Sequence, residues 1–300
     1  MESGLAVAAS SSKRGSVLRA LRRLSPKTWI GLAIVLFAVF VAVAAPWLAP
    51  HGPNDQDLLS MLLPPAWSSG GSASFPLGTD GLGQDILSRA IYGTRVAIIV
   101  AVSAATGAML IGVFMAMLAG YFGGWVDRLI GYVVNLWMSF PPVVLSLVLM
   151  VGLGTGVVNV ILAIVLVDWT RFCRVVRSDV IVVRRRQYVL AARLLGFGHF
   201  RIMLREILPA VGPLIITLFS LEMGIAVIVE AILSFVGMSV SAGTVAWGVM
   251  IADSRTYLHE APWGMLTPVL CIIFLVLGFN TLGDGLRESL DPALRDRARD

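Results

Sequence analysis

Six predominantly apolar runs, at residues 29–48, 96–118, 129–150, 157–169, 211–235 and 265–282, limit this chain to one solvent and one kind of secondary structure. A bilayer offers peptide groups no water to bond, so a crossing segment satisfies them internally, as a helix of roughly 20 apolar residues. The fourth run is the shortest and must borrow flanking residues such as Gly156 and Thr170 to cross. The expected fold is therefore all-α, a polytopic membrane protein with six transmembrane helices. Composition agrees: at 300 residues, 57% hydrophobic and 14% charged, the chain is too apolar for a soluble domain of its size.

Orientation follows from the basic residues, because cytoplasmic connections retain Lys and Arg. The N-terminal tail carries Lys13, Arg14, Arg19, Arg22, Arg23 and Lys27, whereas the long connection after the first run has only Arg89 and Arg95. With six spans, Arg128, the nine arginines of residues 171–209, and Arg287, Arg295, Arg297 and Arg299 all fall inside, and only Arg255 joins Arg89 and Arg95 outside. The sequence thus divides into a basic cytoplasmic tail (1–28), a first transmembrane helix (29–48), an extracytoplasmic loop (49–95), a transmembrane core (96–282) and a cytoplasmic C-terminal tail (283–300). The net charge of +5 does not indicate nucleic acid, since the arginines flank apolar runs instead of forming a basic face with interleaved aromatics. Ala42-Val43-Ala44 imitates a signal-peptide cleavage site, but the apolar run is longer than a signal core, and a retained helix is expected, behind a disordered start to the tail.

The outside loop is too short for a core of its own. It contains an extended stretch, Leu63-Pro64-Pro65-Ala66-Trp67, then Leu77-Gly78-Thr79-Asp80-Gly81-Leu82-Gly83-Gln84-Asp85. These glycines are no nucleotide cradle, because no strand precedes them and no Lys-Ser/Thr pair follows. Ile86, Leu87, Ala90 and Ile91 share one helical face, which predicts a short helix lying on the membrane surface ahead of the second span. Cys173 falls in a cytoplasm-facing segment and Cys271 inside a spanning helix, so the two are not expected to pair.

The stretch 171–209 holds Ala191-Ala192-Arg193-Leu194-Leu195-Gly196 and closes on Ile207-Leu208-Pro209 before the fifth run. It resembles the cytoplasmic coupling loop of ATP-binding-cassette importer permeases, with Leu190 standing where that family usually has glutamate. Further matches are Leu77 through Arg95 with Gln84 in place of a frequent arginine, Gly120-Tyr121-Phe122-Gly123-Gly124 with Asp127, residues 230–237, Trp247-Gly248 with Ile251, and Asn280 leading to residues 283–287 and Asp291-Pro292. The Pro-Pro-Ala-Trp insertion is most similar to the dipeptide branch of the family.

The resemblance implies the type I importer permease fold and half of a translocation pathway for dipeptides or short peptides. It implies a second homologous permease subunit, two ATPase subunits that carry the ATP and Mg, an extracytoplasmic solute-binding protein, no cofactor on this chain, and a bacterial inner-membrane location. Nickel or glutathione is the alternative cargo. In the implied coupling element, Ala191 and Ala192 give a compact helix, Gly196 permits a sharp bend, Leu190 packs, and Leu208 and Pro209 open the next span. Arg184, Arg185 and Arg186 are read as holding the loop at an anionic surface.

Ionisable residues inside spans are costly and therefore candidate pathway groups. Asp168 is expected to pair with Arg171 one turn on. Glu222 either lines a hydrated path or contacts a partner helix, and Glu230 either faces the cavity or fixes an outer gate. Pro141-Pro142 interrupts the third run as a kink or a gate. The chain shows no phosphate-binding sequence and no metal-spaced His or Cys set, so it is not expected to be an enzyme. A proton-coupled carrier would show inverted repeats and paired midplane acids, and a membrane enzyme would show clustered nucleophile or metal ligands; neither pattern is visible.

Overall fold

The computed structural model describes residues 25–241 and 243–290. The basic cluster from Lys13 to Arg23, Ala242, and the end of the chain with Arg295, Arg297 and Arg299 lie outside the described residues. Among the described residues the architecture is all-helical, with one isolated antiparallel bridge between Thr79 and Asp85.

Helix α1 spans Pro26–Leu48; Ser25 caps it by accepting a bond from the Thr28 amide at 3.3 Å, and Pro26 enters at the first turn. Helix α2, Ile86–Phe122, starts at an Asp85 cap that accepts from the Ser88 amide at 3.0 Å. At 37 residues it is about 55 Å long, well beyond a hydrocarbon core of about 30 Å. The expected surface helix ahead of the second span does not exist separately. It is the first turns of α2, and Ile86 and Ala90 are buried against Met250, Trp247 and their neighbours.

The third run is two helices, α3 (Gly124–Met138) and α4 (Pro142–Leu153), bent by 87°. Pro141 and Pro142 donate no backbone hydrogen bond, so no helical ladder can run through residues 139–141. Helix α5, Val157–Val183, carries the fourth run on through the first arginines. Residues 171–183 are therefore not loop: Arg174 is exposed, Arg171 and Arg177 are half-buried, and Phe172, Cys173, Val176 and Val180 are buried. A short α6, Gln187–Leu194, follows.

Helix α7 runs continuously over His199–Phe235 with one π turn, Met203–Ile207. Leu208 and Pro209 thus do not open the span; they follow the π turn inside a helix already begun. The wider turn has a local cause, since Pro209 lacks an N–H and its ring crowds the carbonyl four residues back. A short α8, Trp247–Ser254, and α9, Trp263–Leu290, complete the chain.

Helix α2 packs along α5 and α7, and α9 lies against α1 and α7. Close approach of α1 and α9 depends on missing side chains: a Cβ on Gly31 would sit 2.3 Å from the Leu282 amide nitrogen. Among the described residues four helices, α1, α2, α7 and α9, are long and apolar enough to cross a membrane, or five spans result if the bent pair α3–α4 is one.

Candidate coupling and gate site

Helix α6 presents two unlike faces. Val189 and Ala192 are buried in a cluster with Val180, Ile202, Met203 and Ile207, while Leu190, Ala191, Leu194 and Leu195 are exposed, Leu194 by 89%. The two alanines therefore do different things: Ala192 seats the helix on the protein, and Ala191 faces out beside three leucines. Gly196 ends the helix with φ +78°. Its amide donates to the Arg193 carbonyl at 3.0 Å and the Phe197 amide to Ala192 at 3.2 Å, the paired bonds of a Schellman cap, which turns the chain towards α7.

This loop stands on a platform formed by the motif of residues 120–124 with Asp127, to which the sequence alone assigns no role. Arg184 donates to the carbonyls of Gly120 and Tyr121, at 3.0 and 2.9 Å, and so satisfies the last turn of α2. It is a structural cap, not a surface anchor; Arg185 and Arg186 remain exposed. Arg177 makes a two-pronged pair with Asp127, one arm at 2.6 Å, joining α5 to α3. Tyr121 Oη bonds His199 Nδ1 at 2.8 Å, and Arg193 lies over the Tyr121 ring. The end of α2 thus holds both sides of the α6 loop.

Further along α5 and α7 lies a buried charged cluster. Arg171 bridges two carboxylates, Asp168 at 3.6 Å on its own helix and Glu222 at 3.3 Å on α7. The expected Asp168–Arg171 pair is present, and Glu222, only 2% exposed, is engaged within this chain. Neither its mid-helix position nor hydropathy could disclose Arg171 as its partner, 51 residues away in sequence.

The proline elbow belongs to the same region. A cavity of about 50 Å³ separates Trp137, Met138, Phe140 and Pro142 from Asp168 and Arg171. Trp137 Nε1 donates to the Leu166 carbonyl at 2.5 Å, so the elbow is latched to α5 one turn from the cluster. Pro141 and Pro142 are themselves exposed. Glu230 is in a separate place, buried near the other end of α7, where it accepts from Ser234 Oγ at 2.6 Å and Ser239 Oγ at 3.3 Å. Ser239 in turn offers its carbonyl to the Gly156 amide at 2.6 Å, so Glu230 organises the connections after α7 and before α5.

The loop between α1 and α2 has a polar core. Arg89, nearly buried, pairs with Asp80, donates to Gln84 and reaches Asp253 at 3.2 Å. Asp80 also accepts the amides of Leu82 and Gln84, each at 2.9 Å. Gly83 has φ +71°, and a Cβ there would lie 1.9 Å from the Asp57 carbonyl oxygen, so the turn admits no side chain. Trp247 Nε1 donates to the Ala90 carbonyl at 2.9 Å, fastening α8 onto the same knot. The motif read from residues 77–95 is thus one interlocked unit.

Long apolar helices around a buried charged cluster, with an apolar-tipped loop braced at one end, define a multi-pass membrane protein. The chain belongs to the family of binding-protein-dependent transport system inner membrane components, whose profile matches residues 108–296. Residues 17–65 match the N-terminal transmembrane domain of oligopeptide transport permease C. It is a multi-pass inner-membrane permease subunit. Over 269 residues it is 37% identical to the di/tripeptide transport system permease protein DppC of Pseudomonas aeruginosa, covering 89% of this chain and 88% of that one. It is also 39% identical over 273 residues to the nickel transport system permease protein NikC of Escherichia coli K12, covering 90% and 96%. To the glutathione transport system permease protein GsiD of Pectobacterium atrosepticum it is 34% identical over 264 residues, covering 87% and 85%.

Proposed function

We propose that this chain forms half of a pathway for dipeptides or short peptides, in a type I importer with six spans and both termini cytoplasmic. The six are α1, α2, the bent pair α3–α4, α5, α7 and α9. Helix α5 has the length to cross, about 40 Å for its 27 residues, and Asp168 and Arg171 offset one another within it. A second homologous permease completes the pore, two ATPases supply ATP and Mg chemistry, and an extracytoplasmic binding protein delivers cargo. In this reading the divisions shift from those expected of the sequence: residues 86–95 belong to α2, residues 283–290 to α9, and the coupling element is centred on residues 184–198 instead of spanning 171–209.

The observation that carries it is the seating of α6 between two continuous helices. Its exposed Leu190, Ala191, Leu194 and Leu195 form the surface an ATPase groove would take, with Leu190 replacing a carboxylate contact by apolar packing. A push on α6 enters α5 on one side and α7 on the other. These helices are tied by the Arg171–Glu222 pair beside the proline elbow, where a sliding of α7 against α5 would open or close the inner path. Gly196 sets the angle of α6, and Leu208 and Pro209 follow the π turn through which the push enters α7. Glu230 keeps the opposite end of α7 fixed to its loops.

Peptide cargo is favoured by the match to the di/tripeptide permease; nickel is the second reading, favoured by the match to the nickel permease over nearly its whole length. The test is uptake by proteoliposomes holding the chain with its permease, ATPase and binding-protein partners. ATP-dependent dipeptide uptake, unaffected by excess nickel, is expected. Uptake of nickel in place of peptide selects the second reading. Uptake by this chain alone under a proton gradient would replace the importer with a secondary carrier.

A further inference from the structure

An apolar groove of about 330 Å³ runs between α2 and the start of α7, walled by residues such as Leu110, Phe114, Met117, Met203 and Leu208. No polar side chain lines it. At one end it meets a second recess that shares Phe200 and Leu204 with it and adds Arg201 and Arg205. Both arginines are exposed, and neither forms an ion pair among the described residues. Arg201 is held in place by its guanidinium lying 4.2 Å from the Phe197 ring centroid. An apolar channel ending in two unpaired cations is complementary to an amphiphile with a negative head.

We propose that this groove binds an anionic phospholipid of the cytoplasmic leaflet, its acyl chain between α2 and α7 and its phosphate on Arg201 and Arg205. The proposal rests on the orientation given above, which puts the α6 end of the bundle inside. An apolar helix of the second permease would fill the apolar part and leave the two charges without counter-ions. An acidic ATPase surface would match the charges but not an uncharged groove reaching as far as Ile215. A phospholipid meets both demands with one molecule. The groove borders the π turn Met203–Ile207, so a seated lipid stiffens the segment that joins α6 to α7 and supports transmission between them.

The test uses the assembled transporter in discs of phosphatidylcholine doped with phosphatidylglycerol. Native mass spectrometry is expected to find phosphatidylglycerol retained over phosphatidylcholine. The double variant Arg201→Gln/Arg205→Gln should retain it roughly 30-fold less, with the ATPases still bound. Phe114→p-benzoylphenylalanine should crosslink to lipid. Crosslinking of position 114 to the second permease, or equal retention of both lipids by the unaltered protein, overturns the proposal. Labelling of a cysteine at Arg185 from outside sealed cells would instead show that the orientation itself is wrong.

Discussion

Arg171 shows how one residue sets the character of a buried site. Two carboxylates from different helices, Asp168 and Glu222, face a single guanidinium. Removing the cation leaves both acids buried together, whereas removing all three charges leaves ordinary helix packing. Arg171→Met should therefore cost about 3 kcal/mol, while Asp168→Asn/Arg171→Met/Glu222→Gln recovers most of that loss. Thermal unfolding in detergent measures both. If the cluster also latches the inner path, the triple variant regains stability without regaining tight coupling and hydrolyses ATP without peptide. A triple variant with normal coupled uptake removes the gate role, and a fully stable Arg171→Met removes the structural one.

At the scale of elements, α6 separates positions that adjacent sequence makes look alike. Ala192 lies in the loop's own core and Ala191 on its free surface, so a tryptophan does different damage at each. Ala192→Trp overpacks the cluster around Val189 and Ile202, at a cost of about 1–3 kcal/mol, and should lower expression of folded subunit. Ala191→Trp should leave the subunit stable and release the ATPases. Nothing lies within 4 Å of a Cβ at Gly196, so its substitution acts through the backbone alone. Gly196→Val should cost at least about 1–2 kcal/mol and uncouple, whereas Gly196→Asn, which tolerates a left-handed backbone, should be nearly silent. Co-purified ATPase and uptake, measured together, check all four variants. The location of this loop was legible in sequence because arginines next to apolar runs mark membrane boundaries. Its true extent was not: charge reads as the end of a span, yet α5 continues for several turns with arginines on one side and Val176 and Val180 on the other. Helices α3 and α4 were legible as one apolar run with two prolines, but not the 87° bend. Residue pairs distant in the chain, Arg171 with Glu222 and Arg177 with Asp127, depend on packing that no local pattern encodes.

For the whole molecule, orientation decides whether any of these elements can meet its partner. In the proposed importer the α6 loop must reach cytoplasmic ATPases, and the knot around Arg89 must lie on the side of the binding protein. The basic residues argue for this arrangement, since Arg185, Arg186, Arg201 and Arg205 sit at one end of the bundle while the other end is held by internally paired Arg89. Helix α5 is the point on which the count turns. If it crosses, the loops on its two sides lie in different compartments; if it does not, residues 184–198 share a compartment with the α4–α5 connection. Single cysteines in a Cys173→Ala/Cys271→Ala background distinguish these cases. Cysteines at Ser69, Thr155 and Glu260 should react with an impermeant thiol reagent added to intact cells, and cysteines at Arg185 and Leu194 should react only after permeabilisation. Ser69, Glu260, Arg185 and Leu194 are all exposed, so a silent site there reflects the membrane and not burial. Thr155 and Arg185 labelling from the same side would mean that α5 does not cross, leaving five spans and opposite compartments for the termini.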